Sequence, residues 1–141
     1  MWTCSKCNRI FDKEGQPHSC KKISLEQHFK NKDKARELFD YLVTVVDEKI
    51  GSCKVISLPC CIHLYGKYDF LAALPKRDSL EVRFSLNRRL TKARVCVPVS
   101  AKSYKNCFDI GSKDQFDKEF VDWLTESYYL KEINADKKSK A

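Results

Sequence analysis

The sequence predicts an α+β protein: an antiparallel sheet of about five or six strands, two main helices on one face of it, and a small N-terminal module. Apolar residues recur every three or four positions near the start and the end of the chain, and this period falls to two in the segment between. Short connectors between the strand candidates imply antiparallel neighbours. We divide the chain into a module over 1–30, a domain over 31–133 and a tail over 134–141.

Four residues of metal-binding types occur within the first twenty positions. Cys4 and Cys7 are followed by His18 and Cys20 in the pattern C-x2-C-x10-H-x-C. A two-residue gap lets both thiolates of a turn face one ion, and four such donors can close a tetrahedron around zinc. Because protein fills all four positions, we predict a structural Zn²⁺ rather than a catalytic one.

A further histidine leaves the ligand set open. Ser24 with Gln27 three residues later forms a capping box, which predicts a short helix containing His28. His28 could replace His18 beside Cys4, Cys7 and Cys20. We favour His18, and packing beside Phe29 is the alternative role for His28.

Two longer helices are predicted on either side of the strand-rich segment. The first begins at Asp33 and ends before Gly51, and its apolar positions are Ala35, Leu38, Phe39, Leu42, Val46 and Ile50. The second begins at Ser112, which forms a capping box with Gln115. Its apolar side carries Phe116, Phe120, Trp123, Leu124 and Tyr128. The tail that follows lacks apolar residues, carries three lysines and is predicted to be disordered.

Six strands are predicted at about 54–58, 61–65, 69–74, 79–86, 93–99 and 104–110. The clearest one alternates Leu80, Val82, Phe84 and Leu86 with Glu81, Arg83 and Ser85, which predicts one buried and one polar face. The same reasoning points Cys61, His63, Tyr65, Arg94 and Cys96 outward, and Ile62, Leu64, Val95 and Val97 inward. Pro98 suits a strand end or a sheet edge.

The polar face of this sheet is the candidate binding surface. The net charge is +8, and residues 53–110 contribute +7 of it. A basic excess of this kind attracts nucleic acid or another polyanion, although a half-exposed sheet must carry polar residues in any case. The candidate residues are His63, Tyr65, Arg83 and Arg94 on the face, with Arg88, Arg89, Lys92, Lys102 and Lys105 around its rim.

Five further cysteines are expected to be reduced, small and mostly buried: Cys53, Cys60, Cys61, Cys96 and Cys107. They form no second C-x-x-C motif and no evident cysteine–histidine motif. An enzyme is the alternative to a binding module, with His63 as general acid or base beside Tyr65, Glu81 or Asp109. The sequence has no nucleophile motif and no phosphate-binding glycine loop to support this. A third alternative is a protein-interaction module that docks a partner through Trp2 or Phe11.

The chain shows no membrane segment and no start typical of a secretory signal. Its apolar runs stay short of the ~18 residues that a membrane span requires. The first residues, Met-Trp-Thr-Cys, lack a basic stretch that leads into an apolar run. We therefore expect a soluble, cytoplasmic protein.

The chain resembles a bacterial family known only as domain of unknown function 5655, some members of which begin with a zinc-knuckle-like stretch. The resemblance extends over nearly the full length. It rests on residues 2–11, His18-Ser19-Cys20, His28-Phe29, Phe70, Leu80 to Leu86, and the closing segment Phe120 to Leu124. It implies an α+β fold, a metal-bound N-terminal module and no established activity. Asn8 stands where such knuckles often have glycine, and asparagine tolerates positive φ better than most residues.

Overall fold

The computed structural model describes residues 2–11, 13–17, 22–100 and 103–139, and for residues 95, 99, 100 and 131–139 it describes the backbone alone. Within these residues a two-stranded hairpin precedes a six-stranded antiparallel sheet, and two long helices pack on one face of that sheet. The predicted α+β class is therefore confirmed. None of the described helices is long and apolar enough to cross a membrane.

The N-terminal residues form a small hairpin. Strands β1 (Trp2–Thr3) and β2 (Ile10–Phe11) pair antiparallel. The turn between them is closed by the N–H of Cys4, which donates to the carbonyl of Arg9 at 2.9 Å, and by that of Asn8, which donates to the carbonyl of Cys4 at 2.8 Å. Asn8 has φ 61°, the left-handed conformation that asparagine tolerates. A short helix α1 (Leu25–His28) follows, with Ser24 as its N-cap.

The main sheet contains all six predicted strands with small shifts at their ends. They are β3 (Lys54–Ser57), β4 (Ile62–Tyr65), β5 (Asp69–Pro75), β6 (Leu80–Leu86), β7 (Val95–Ser100) and β8 (Ser103–Ile110). Their order across the sheet is β3-β4-β5-β6-β8-β7, and each neighbouring pair is antiparallel. Pro98 lies in the edge strand β7, where it interrupts no second ladder.

Helices α2 (Asp33–Lys49) and α3 (Lys118–Ser139) cover one face of this sheet. Both contact β5 and β6. Their predicted apolar stripes meet the inward residues of the strands in one core. This core includes Leu38, Phe39, Leu42, Leu64, Val82, Phe84, Phe120 and Leu124.

The start of the last helix differs from the prediction. Ser112 and Gln115 do form a capping box, but it begins a 3₁₀ turn (Lys113–Gln115). The α-helix starts at Lys118, and the carboxylate of Asp117 accepts a hydrogen bond from the N–H of Phe120 at 2.9 Å. Asp117 thus makes the N-cap contact of α3.

The end of α3 lies beyond the predicted one. The helix extends to Ser139, into the segment 134–141 for which the sequence predicts a disordered tail. This segment contains Ala135 and lysines, residues of good helix propensity, although it lacks apolar residues. Residues 140–141 lie outside the described part.

Strand β7 has the opposite orientation from the predicted one. Cys96 pairs with Asn106, whose β6 partner is the core residue Phe84, so Cys96 lies on the helix side of the sheet. Val97 pairs with Lys105 on the other face and is 46% exposed. In the same register Val95 pairs with Cys107. The inward assignment of Val97 and the outward assignment of Cys96 are therefore wrong, because an edge strand need not direct its apolar residues to the core.

Candidate functional site

The sheet face opposite α2 and α3, here named the outer face, carries the predicted site residues. The strand register aligns one row of side chains across it: Ile56, His63, Ala72, Arg83 and Cys107. The row crosses two different environments. The half on β3 and β4 contacts the N-terminal residues, whereas the half on β6 and β8 carries a group of charged side chains.

Tyr65 belongs to the covered half. It is only 5% exposed and forms a small buried cluster with Ile56 and Leu58. Nε of Arg9 donates to the Tyr65 hydroxyl at 3.4 Å, and the N–H of Ile23 donates to the carbonyl of Ser57 at 3.3 Å. Burial raises the pKa of the Tyr65 hydroxyl, and the nearby Asp69 carboxylate adds to this. Tyr65 is therefore buried and offers no exposed ring on which a base could stack.

The predicted N-terminal metal site is only partly within the described residues. Cys4 and Cys7 are buried at the hairpin turn in a cluster with Phe11, against which Trp2 packs at a ring-centroid distance of 6.0 Å. The guanidinium of Arg9 lies 4.9 Å from the Phe11 ring centroid. Two buried thiols with an apolar shell fit a soft metal ion such as Zn²⁺. Ligands His18 and Cys20 lie outside the described residues.

The alternative ligand His28 has a different contact. Its Nε2 donates to the carbonyl of Leu58 at 2.7 Å, which ties α1 to the end of β3. Among the described residues, His28 forms no ligand group with Cys4 and Cys7. The set with His18 therefore remains our prediction.

A buried carboxylate organises the charged half of the outer face. Glu81 is 1% exposed, although it lies on the face predicted to be polar. Nε and Nη2 of Arg83 both donate to its Oε2, at 2.7 and 2.6 Å. Arg94 donates through Nη2 to the other oxygen of Glu81 and through Nε to Asp109 at 2.9 Å. A buried carboxylate requires such partners, because its charge has lost its water.

Of the predicted rim residues, only Lys105 is placed on the outer face beside this group in the described part of the chain. Arg88 contacts Glu126 at 3.0 Å and Lys92 contacts Glu119 at 2.6 Å, so both pair with carboxylates of α3. The Arg89 guanidinium lies 5.1 Å from the Tyr104 ring centroid. Lys105 is exposed on the outer face, opposite Ser85 of β6. Lys102 lies outside the described residues.

His63 contacts Cys61 and Asp69, which are not among its predicted partners. Its Nε2 lies 3.1 Å from Sγ of Cys61, and its Nδ1 lies 2.8 Å from Oδ2 of Asp69. Sγ of Cys60 is 3.2 Å from Sγ of Cys61. Burial raises the pKa of the Cys61 thiol to about 12, and its hydrogen bond with Cys60 adds to this. The predicted partners Glu81 and Asp109 bind arginines instead.

The signal for this cluster is the short sequence Cys60-Cys61-Ile62-His63. Residues i and i+2 of a strand lie on the same face, so Cys61 and His63 must be neighbours if β4 begins there. The expectation that these cysteines have no evident cysteine–histidine motif is therefore wrong. Asp69 could not be found in this way, because it comes from the next strand across a bulge after Leu64.

The other cysteines fit the predicted role in part. Cys107 is buried, and burial raises the pKa values of both Cys53 and Cys107. Cys60 is exposed, against the expectation of a small buried hydrophobe. None of these described cysteines takes part in a disulfide.

The structure thus defines an α+β domain with a cysteine-containing hairpin on part of its outer face. The family model of a domain of unknown function (DUF5655) matches residues 25–131. The chain therefore belongs to this family. The match begins after the cysteine hairpin, so the N-terminal part of the resemblance has no support from it. No curated protein and no solved structure matches the chain.

Proposed function

We propose that this protein is a non-catalytic, zinc-containing binding module that contacts nucleic acid or another polyanion through the charged half of its outer face. This half, here named the β6–β8 face, comprises Lys76, Arg83, Arg94 and Lys105 together with Glu81 and Asp109. The proposal rests on one observation: a buried carboxylate holds two arginines in place on an otherwise open sheet surface.

The arrangement of Arg83 and Arg94 suits phosphate recognition. Each guanidinium has five N–H donors in a rigid plane, and the contacts with Glu81 and Asp109 use only some of them. Their side chains remain 37% and 48% exposed. Because Glu81 already orients both groups, less side-chain entropy is lost when they bind a phosphate.

The β6–β8 face has a positive net charge and so favours an anion. Its net charge is smaller than the +8 of the whole chain. Four cations stand against two carboxylates, so the face has a net positive charge. Lys105 has no carboxylate partner among the described residues. This face should therefore attract a polyanion weakly and in a strongly salt-dependent manner.

The proposed structural zinc has a bracing role in this function. The hairpin that carries Cys4 and Cys7 contacts the sheet through Arg9 and Tyr65, on the half of the outer face that lies away from the β6–β8 face. This contact lies on β4, and the arginines of the β6–β8 face remain accessible.

Salt-dependent binding to labelled single-stranded and double-stranded DNA and RNA tests the proposal, with fluorescence anisotropy as the readout. Lys105→Glu should weaken binding several-fold and reduce the slope of log K against log salt by about 1, because one phosphate contact is lost. Lys34→Glu is the matched control, since Lys34 is exposed on α2 and the same charge change there should have little effect. Absence of binding at ~50 mM salt, or equal effects of both variants, would contradict the proposal.

The two alternatives have less support from the contacts. Phe11 is buried and Trp2 packs against it within the hairpin, which favours a small core of the module over a surface that docks a partner. A Cys61 nucleophile with His63 as its base would require an accessible thiolate, but burial and Cys60 raise the thiol pKa to about 12.

A further inference from the structure

We propose that Cys60, Cys61 and His63 form a second metal site, for a soft divalent ion such as Zn²⁺. The site lies at the turn between β3 and β4 and shares no ligand with the predicted set at the N-terminus. Its donor atoms are two thiol sulfurs and the Nε2 atom of an imidazole. These three atoms all lie within 4.8 Å of one another.

The spacing of the donors is close to that of a tetrahedral zinc site. Zn–S and Zn–N bonds of about 2.3 and 2.0 Å at tetrahedral angles place two sulfurs roughly 3.8 Å apart and a sulfur and a nitrogen roughly 3.5 Å apart. Sγ of Cys61 lies 3.2 Å from Sγ of Cys60 and 3.1 Å from Nε2 of His63. An ion therefore requires each of these two pairs of atoms to separate by about half an ångström.

The local backbone explains why adjacent cysteines converge. The N–H of Leu58 donates to the carbonyl of Cys61 at 3.0 Å, which closes a tight turn through Pro59 and Cys60. Cys60 is thus outside the strand alternation that would direct it away from Cys61. Cys61 and His63 are two residues apart and lie on the same side of the chain.

Asp69 completes an arrangement that is common around metal-bound histidines. Its Oδ2 lies 2.8 Å from Nδ1 of His63, on the side of the ring away from Cys61. Nδ1 is buried and has no aligned hydrogen bond among the described residues. A small rotation of the ring would give the Nδ1–H bond to Asp69 that orients a ligating imidazole and leaves Nε2 for the ion.

The donor set selects a class of metal. Two thiolates and one imidazole suit Zn²⁺ or another soft ion, and they suit Mg²⁺ and Ca²⁺ poorly. With a divalent ion, two thiolates and a neutral imidazole give a site without net charge. Three protein ligands leave one coordination position for water or an external donor, and the exposed Cys60 makes this position accessible.

Cobalt binding by the full-length, reduced chain tests the site. Co²⁺ is the probe because thiolate coordination gives it strong near-ultraviolet charge-transfer absorption. The test uses a background with Cys4→Ser and Cys7→Ser, which removes two ligands of the N-terminal set. In this background the cobalt absorption should persist, and Cys60→Ser with Cys61→Ser should abolish it. Cys96→Ser, the matched control on β7, should retain it. Asp69→Asn should weaken cobalt affinity by ~10–100-fold.

The proposal is overturned if the background chain is folded, as judged by circular dichroism, but shows no thiolate-to-cobalt absorption. It is also overturned if the Cys60→Ser, Cys61→Ser pair leaves the absorption unchanged. If the background does not fold, the same pair is made in the native chain, where it should remove one zinc equivalent by elemental analysis. Unchanged zinc content in that chain would overturn the proposal as well.

Discussion

Glu81 shows how one residue sets the character of the outer face. The strand register places it beside Asp109 of β8, and the like charges would repel each other without a cation. Arg94 contacts both carboxylates. Arg83, two residues after Glu81 on the same strand, forms a second ion pair with Glu81. The β6–β8 face is therefore a set of ion pairs around a buried acid, with part of each arginine left for a ligand.

We expect Glu81→Gln to lower the free energy of unfolding by about 1–3 kcal/mol, because an amide cannot satisfy two guanidiniums and would stay buried with unmatched donors. Urea denaturation measures this change. Glu37→Gln is the matched control: Glu37 is 65% exposed, contacts Lys113, and should change stability by no more than about 0.5 kcal/mol. Equal effects of the two substitutions would show that Glu81 is not the organising residue.

At the scale of the elements, the side chain of Tyr128 joins α3 to the segment that leads into the edge strand β3. The hydroxyl of Tyr128 donates to the carbonyl of Ser52 at 2.8 Å, and its ring meets that of Phe70 at 4.9 Å between centroids. The ring fills the space beside Gly66, in the connection between β4 and β5. A Cβ added at Gly66 would lie 2.3 Å from the ring, so glycine is required there for close approach and not for turn geometry.

Gly66→Ala should therefore destabilise the protein by about 1–3 kcal/mol through overpacking against Tyr128. Gly111→Ala is the matched control, because a Cβ there meets only Gln115 at an ordinary 3.6 Å. A double-mutant cycle separates the contact from a backbone effect: in a Tyr128→Ala background the cost of Gly66→Ala should largely disappear. A cost that persists in this background would assign the effect to the backbone of Gly66.

The elements themselves could be predicted because their signals are local. Periodicity located α2 and the six strands to within one or two residues at most ends, and Ser24 was correctly identified as a cap. The start of α3 was wrong because Ser112 and Asp117 are both good caps, and sequence alone does not say which one begins an α-helix. The orientation of β7 was wrong because exposure at an edge strand depends on what covers it.

For the molecule as a whole, charge and burial depend on contacts between distant segments, which local patterns do not report. The net charge of +8 suggested a basic surface, but glutamates of α3 pair with Arg88 and Lys92. Tyr65 lies on the outer face as the strand alternation predicts, yet it is buried, and its hydroxyl accepts a hydrogen bond from Arg9, 56 residues away in the sequence. The sequence therefore predicts which residues are candidates for the site, but it does not predict which of them lie together on one exposed surface.

The hairpin, β3 and β4 should respond together when the N-terminal metal site is lost. If zinc at Cys4 and Cys7 braces the hairpin, Cys4→Ser with Cys7→Ser should release it from Tyr65, because thiolate coordination replaces the large core that so short a segment lacks. Hydrogen exchange followed by mass spectrometry should then accelerate in residues 2–11 and at β3 and β4. Strands β6 and β8 should keep their protection, since α2 and α3 still cover their other face.

Cys96→Ser is the control and should change neither region. Unchanged exchange in residues 2–11 would show that the hairpin is held by Phe11, Arg9 and the sheet without help from a metal.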